Sequence, residues 1–121
     1  MVRALFDTNI LIDYLNAVPQ ARVELNRYET WSISVISWME VLVGAPEEVE
    51  EPTRAFLAGF GVVALDDEIA ERAVSLRRSH GIKLPDAIIW ATADVNSLLL
   101  VTRNTKDFGE GTPGVRVPYV L

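Results

Sequence analysis

An α/β fold with a largely parallel sheet is the expectation for this chain of 121 residues. Two patterns lead to it. Short β-branched and leucine-rich runs alternate with longer segments whose apolar residues recur at helical spacing. Glycine and proline mark many of the joins between them.

Taken in order, Val2 to Phe6 reads as a buried strand running into Asp7-Thr8-Asn9, a helix-start signal. The helix carries Ile10, Leu11, Tyr14 and Leu15 and ends before Pro19, and a more polar helix is expected from Gln20 to Tyr28. Trp31 to Val35 is the second strand. Ser37-Trp38-Met39-Glu40 matches a capping box, and Gly44-Ala45-Pro46 closes the helix it opens. Pro46 to Pro52 is expected to be an acidic loop, with Glu47, Glu48, Glu50 and Glu51 as a solvated charge run. A short helix from Thr53 to Phe60 and a strand from Gly61 to Leu65 follow. Asp66 or Asp67 caps the next helix, where Ile69, Ala73 and Leu76 form one apolar stripe that stops near Gly81. Pro85 suits a first helical turn, and Ala87 to Ala93 is apolar nearly all round, so that helix should be covered. Leu98 to Thr102 is a further strand, and Val115 to Val117 a last edge strand.

Composition narrows the function classes. Half the residues are hydrophobic and 23% are charged, as in a compact protein, and the length suits one domain over residues 1–121. With no cysteine, disulfides, zinc–thiolate sites and thiol catalysis are excluded. No apolar run reaches the roughly 20 residues of a membrane span, and Asp7 arrives too early for a signal-peptide core. The expectation is therefore no membrane and a cytoplasmic location. The net charge of −6 is the wrong sign for a simple phosphate binder. Either nucleic acid is not the partner, or acids gather in a pocket where a divalent cation offsets them.

The order of the acids decides between these readings. Ligands of a parallel sheet bind beyond the carboxyl ends of its strands. Asp7 ends the first strand, Glu40 lies about a helical turn past the second, and Asn104 and Asp107 follow the Leu98–Thr102 strand. Asp86 starts the helix leading into that strand. Each acid taken singly reads better as a helix cap or turn residue than as a catalyst. Independent caps have no reason to converge, however, and oxygen ligands meeting at one sheet edge suit magnesium or manganese. Thr8, Ser37, Thr102 and Asn104 flank the acids and could orient them or bound waters. Arg77, Arg78, Lys83, Arg103 and Lys106 could rim the site and hold a phosphate backbone. Asp13 and Asp94 are expected to face solvent. His80 is the only histidine and sits at a polar helix end, so a metal-free ribonuclease using two histidines is excluded.

Four segments together resemble the motifs of PIN domains, the VapC-type toxins in particular. They are Leu5-Phe6-Asp7-Thr8-Asn9-Ile10-Leu11-Ile12-Asp13, Ser34 to Gly44 around Glu40, Leu84-Pro85-Asp86-Ala87-Ile88-Ile89-Trp90-Ala91-Thr92-Ala93, and Leu100-Val101-Thr102-Arg103-Asn104-Thr105-Lys106-Asp107-Phe108. The resemblance implies a three-layer sandwich, a parallel sheet of four or five strands with helices on both faces. It implies a magnesium- or manganese-dependent endoribonuclease, with Asp7, Glu40 and Asp86 as metal-binding acids. The fourth catalytic position stays open between Asp107 and Asn104, the latter standing where other PIN domains have an acid. A cognate antitoxin and a homodimer are also implied. Two rivals remain at this point. One is an aspartyl-phosphate phosphotransfer domain, although Asn9 stands where a second aspartate is expected. The other is a PIN-fold RNA-binding module without catalysis.

Overall fold

The computed structural model describes residues 2–109 and 111–121. Five parallel strands form one sheet: β1 (Ala4–Phe6), β2 (Trp31–Ser34), β3 (Gly61–Val63), β4 (Leu99–Val101) and β5 (Val115–Arg116), in the order β3-β2-β1-β4-β5. The helices are α1 (Thr8–Leu15), α2 (Pro19–Leu25), α3 (Val35–Gly44), α4 (Glu50–Leu57), α5 (Asp67–His80) and α6 (Leu84–Val95), with a 3₁₀ turn at Glu47–Val49. From β1 the chain builds outward through β2 and β3, then returns to lay β4 on the other side of β1. That reversal opens a crevice beyond the carboxyl ends of β1 and β4.

Strand alternation divides the core into layers. Ala4, Phe6, Ile33 and Val101 face Ile10 and Leu11 of α1, Leu25 of α2, Val41 of α3 and Leu57 of α4. Leu5 and Leu100 face the other way, onto Ile89 and Ala93 of α6 and onto Phe108. Helix α6 is indeed covered, because α5 packs Ile69, Ala73 and Leu76 against its Ala87 and Ala91. Asp66 caps α5 through the Ile69 amide, and Gly81 ends it at a φ of +67°, a conformation that suits glycine.

Three local expectations are corrected. The cap of α3 is Ser34, whose hydroxyl takes the Ile36 amide, so Ser37 lies inside the helix and forms no capping box. Pro19 opens α2 instead of merely ending α1, and that helix stops at Leu25. The acidic stretch from Pro46 is not a loop. It holds the 3₁₀ turn and the first turn of α4, where Glu50 and Glu51 favour the positive helix end.

Edge strand β5 is fastened by charge. Glu24 of α2 is 3% exposed, and Arg116 donates to both of its oxygens, at 2.8 and 3.1 Å. The Tyr28 hydroxyl donates to Glu24 Oε2 at 2.7 Å. Burial pushes the Glu24 carboxyl up, but these hydrogen bonds outweigh it and hold the group below its ordinary 4.5. A depressed acid stabilises fully above its unfolded pKa and loses that stability as pH falls through the folded one. Glu24→Gln should therefore lower stability near neutral pH by about 2 kcal/mol in urea unfolding. The gap to wild type should narrow below pH 4.5. An equal loss at pH 3 and pH 7 would contradict this account.

Candidate active site

The site is assembled where β1 ends. Asp7 is the N-cap of α1, and its backbone N–H donates to Val101 of β4 at 2.9 Å. The capping reading is thus correct, but it does not exhaust the residue. Asp7 Oδ1 accepts the Thr8 amide at 2.7 Å. Its Oδ2 accepts the Thr102 hydroxyl at 2.7 Å and the Asn9 amide at 3.3 Å. Only 6% of Asp7 is exposed.

Glu40 reaches the same place from α3. Thr8 Oγ1 lies 2.7 Å from Glu40 Oε1 and 2.9 Å from Ser37 Oγ. A hydroxyl has one proton and a carboxylate can only accept, so Thr8 donates to Glu40 and accepts a hydrogen bond from the Ser37 hydroxyl. Ser37 is fully buried behind this pair, and Glu40 itself is exposed.

Asp86 stands in the first turn of α6 beside Asp107. The loop after β4 is a compact turn. Asn104 Oδ1 accepts the amides of Lys106 and Asp107, both at 3.1 Å, and its Nδ2 donates to Asp107 Oδ2 at 2.9 Å. Thr102 Oγ1 accepts the Asn104 amide at 3.0 Å while donating to Asp7. Phe108 is 2% exposed and meets Trp90 of α6 edge-on at 5.1 Å between ring centres, which seats the loop beside Asp86.

Asp7, Thr8, Glu40, Asp86, Arg103, Asn104 and Lys106 line one open concavity of about 520 Å³. The sequence-predicted acids therefore meet. Asp107 touches this group through Asp86 and Asn104, and Ser37 and Thr102 support it from beneath. Lys83 sits close enough to Asp86 to oppose its charge. Arg77 and Arg78 do not belong to the rim. They border a separate depression with Gly81 and Leu84, and Arg77 donates to the Ile82 carbonyl. Neither arginine lines the carboxylate concavity, which proximity in sequence could not reveal.

Two site residues were missed. Asn9 bridges the site, its amide on Asp7 and its Oδ1 accepting the Arg103 backbone N–H at 3.1 Å. Asp13 does not face solvent: it is 4% exposed and paired to Arg103. Position i+6 from Asp7 gives no sign of that pairing, because the partner lies 90 residues away. Asp94 does face solvent, in an exposed pair with Arg72.

Electrostatics set the character of the concavity. Burial is the largest influence on Asp7, and the charges of Asp86 and Glu40 add to it, raising its pKa from 3.8 to about 6 against the Thr102 and Thr8 hydrogen bonds. Asp86 is raised too, by burial first and then by Asp107 and Glu40, with Lys83 opposing. Among the described residues, no group of three or more His, Cys, Asp or Glu forms a ready-made metal cage. The arrangement is an open array of carboxylates short of positive charge. That suits a hard cation retaining part of its water shell.

An acid with a raised folded pKa adds stability only below its unfolded value, and loses it as pH rises through the folded one. For Asp7 that window runs from 3.8 to about 6. In chelator, Asp7→Asn should thus be more stable than wild type at pH 8, by about 2 kcal/mol. Thermal unfolding from pH 4 to 8 measures the gap, which should close toward pH 4. A variant less stable than wild type at pH 8 would refute the charge argument.

The chain matches the PIN domain family over residues 4–110. Ribonuclease VapC10 of Mycobacterium tuberculosis is 37% identical over 112 residues, covering 86% of this chain and 84% of that protein. A chain of a toxin–antitoxin complex from Klebsiella pneumoniae superposes with a TM-score of 0.93 at 49% identity, over 98% of this chain and 99% of that one. A chain of the DNA-bound VapBC complex from Salmonella typhimurium does so with a TM-score of 0.76 at 26% identity, over 96% of each chain. With the motif acids in one concavity at the end of β1, the chain belongs to the PIN-domain family, among its VapC-type members.

Proposed function

We propose that this chain is a toxin endoribonuclease that hydrolyses RNA phosphodiesters with magnesium or manganese held by Asp7, Asp86 and Glu40. The observation carrying the reading is the nearly buried Asp7 carboxylate, which shares one concavity with Asp86 and Glu40, where burial and their charges raise its pKa. Binding a divalent ion would relieve that repulsion and return Asp7 to its ionised form. The ion would supply positive charge against the phosphate and lower the pKa of a nearby water.

The chain's own residues have separable tasks in this reading. Thr8 and Thr102 fix the ionised Asp7 in one orientation. The Thr8 hydroxyl occupies Oε1 of the exposed Glu40. Oε2 is left to accept a proton from the attacking water. Asp107, held by Asn104, supports Asp86. In this reading Asp107 is the fourth acid and Asn104 its anchor. Lys83 and Lys106 add positive charge toward the strand. Water attacks phosphorus in line and the P–O3′ bond breaks as the 3′ oxygen takes a proton from solvent, so the products carry a 5′ phosphate and a 3′ hydroxyl. The 2′-hydroxyl is not consumed, and preference for RNA comes from fit to the strand.

A toxin of this kind has a cognate antitoxin as partner. An apolar groove lined by Ile12, Leu15, Val41 and Val49 adjoins the carboxylate concavity, and Ile12 borders both. A partner segment seated there would run directly to the site. A homodimer is proposed on the family's habit alone. The phosphotransfer rival loses ground because Asn9, in place of the second aspartate, spends its side chain on Asp7 and Arg103.

Asp7→Asn should lower RNA cleavage by about 10³-fold with unchanged circular dichroism. Thr102→Val should lower it about 10-fold by freeing Asp7 to turn. Chelator should stop the wild type, and magnesium should restore it. Mapping the ends should give 5′ phosphates. Cleavage that persists in chelator, or ends in 2′,3′-cyclic phosphate, would refute the metal-assisted mechanism.

A further inference from the structure

Asp13 lies on the helix that Asp7 caps, and both of its oxygens are committed. Arg103 Nε donates to Oδ2 at 2.7 Å and Nη2 to Oδ1 at 3.0 Å, a two-point fork. The Tyr119 hydroxyl donates to Oδ2 at 2.8 Å. Burial and the Asp13 charge push that phenol well above its ordinary range, so it remains a donor. The backbone of Arg103 is pinned as well, its N–H donating to Asn9 Oδ1 at 3.1 Å. Helix α1, the loop after β4 and the C-terminal segment are thereby tied together at one carboxylate, that of Asp13.

This clamp is more than a fastening of the fold, because of where Arg103 stands. It lines the concavity of Asp7, Glu40 and Asp86, and 33% of its side chain is open to solvent. Asp13 takes one edge of the guanidinium. No described group takes the other edge, at Nη1, which carries two N–H donors. A planar cation with a free edge, beside acids in a chain of net charge −6, is suited to a phosphate. A held guanidinium also loses little freedom on binding, which a solvated arginine would have to give up.

We propose that Asp13 and Tyr119 are positioning residues for the RNA strand: they hold Arg103 so that its free edge meets a phosphate beside the carboxylates. The proposal rests on the nuclease reading and adds a residue set that acts through Arg103. Asp13 touches no substrate.

The test measures binding of a labelled single-stranded RNA of mixed sequence, across a range of salt concentrations. All proteins carry Asp7→Asn to suppress cutting. Arg103→Gln should weaken binding about 10-fold and reduce the salt slope by about one. Arg103→Lys keeps the charge but loses the fork, and should not restore full affinity. Asp13→Asn and Tyr119→Phe should each weaken binding by a smaller factor. In the Arg103→Gln background neither should add a further loss, the signature of action through that residue. In proteins that retain Asp7, Arg103→Gln should raise KM more than it lowers kcat.

Tyr119→Phe keeps the ion pair and serves if Asp13→Asn fails to fold. The proposal is overturned if Arg103→Gln leaves affinity and salt slope unchanged, or if Tyr119→Phe costs as much without Arg103 as with it. If those results appear while wild type still cuts RNA, the assignment of Arg103 falls alone. If wild type neither cuts nor binds RNA, the nuclease reading falls and takes this assignment with it.

Discussion

The site depends on keeping one carboxylate buried at the end of a strand while other carboxylates face it. Asp7 is 6% exposed and loses hydration on folding, and Asp86 and Glu40 add repulsion. The Thr8 amide and the Thr102 hydroxyl offset part of the cost. A local cap thus doubles as a device for holding negative charge. The remainder is a standing preference for positive charge at the mouth of the crevice. In the proposed function a divalent ion satisfies that preference.

The fold is what makes the convergence possible. Parallel strands bring β1, β2 and β4 to the same edge with their carboxyl ends aligned, and the chain reversal at β1 leaves a gap there. Each strand end delivers a different residue. Asp7 follows β1, α3 carries Glu40 after β2, and the turn after β4 places Asn104 and Asp107 next to Asp86. The overall acidity then ceases to be an objection to a phosphate substrate. The positive charge near the site is local: Arg103, held by Asp13, and Lys106 line the concavity, and Lys83 adjoins Asp86.

Local signals carried most of the architecture. Short β-branched and leucine-rich runs located the strands to within a residue or two, and the Ile69, Ala73 and Leu76 stripe located the inner face of α5. The motif order placed Asp7, Glu40 and Asp86, since each follows a strand or opens a helix at a position its neighbours define. What escaped the sequence was tertiary. Ser37 looked like a cap because serine three residues before glutamate is a local pattern, but Ser34 was the better-placed hydroxyl. The glutamates from Glu47 onward are exposed, as a charge run should be, but they stand in a 3₁₀ turn and a helix start instead of a loop. Asp13 and Arg103 carry no local mark of their pairing, and Arg77 and Arg78 none of the separate depression they border.

The central claim is that the carboxylates of Asp7, Glu40 and Asp86 share a divalent ion. A crystal structure of the wild-type protein soaked with manganese, read by anomalous scattering, tests it most directly. The account predicts a manganese peak within bonding distance of Asp7 and Asp86, with Glu40 bound directly or through water. Saturating manganese that leaves the concavity without a peak, while the ion binds elsewhere or not at all, would contradict it.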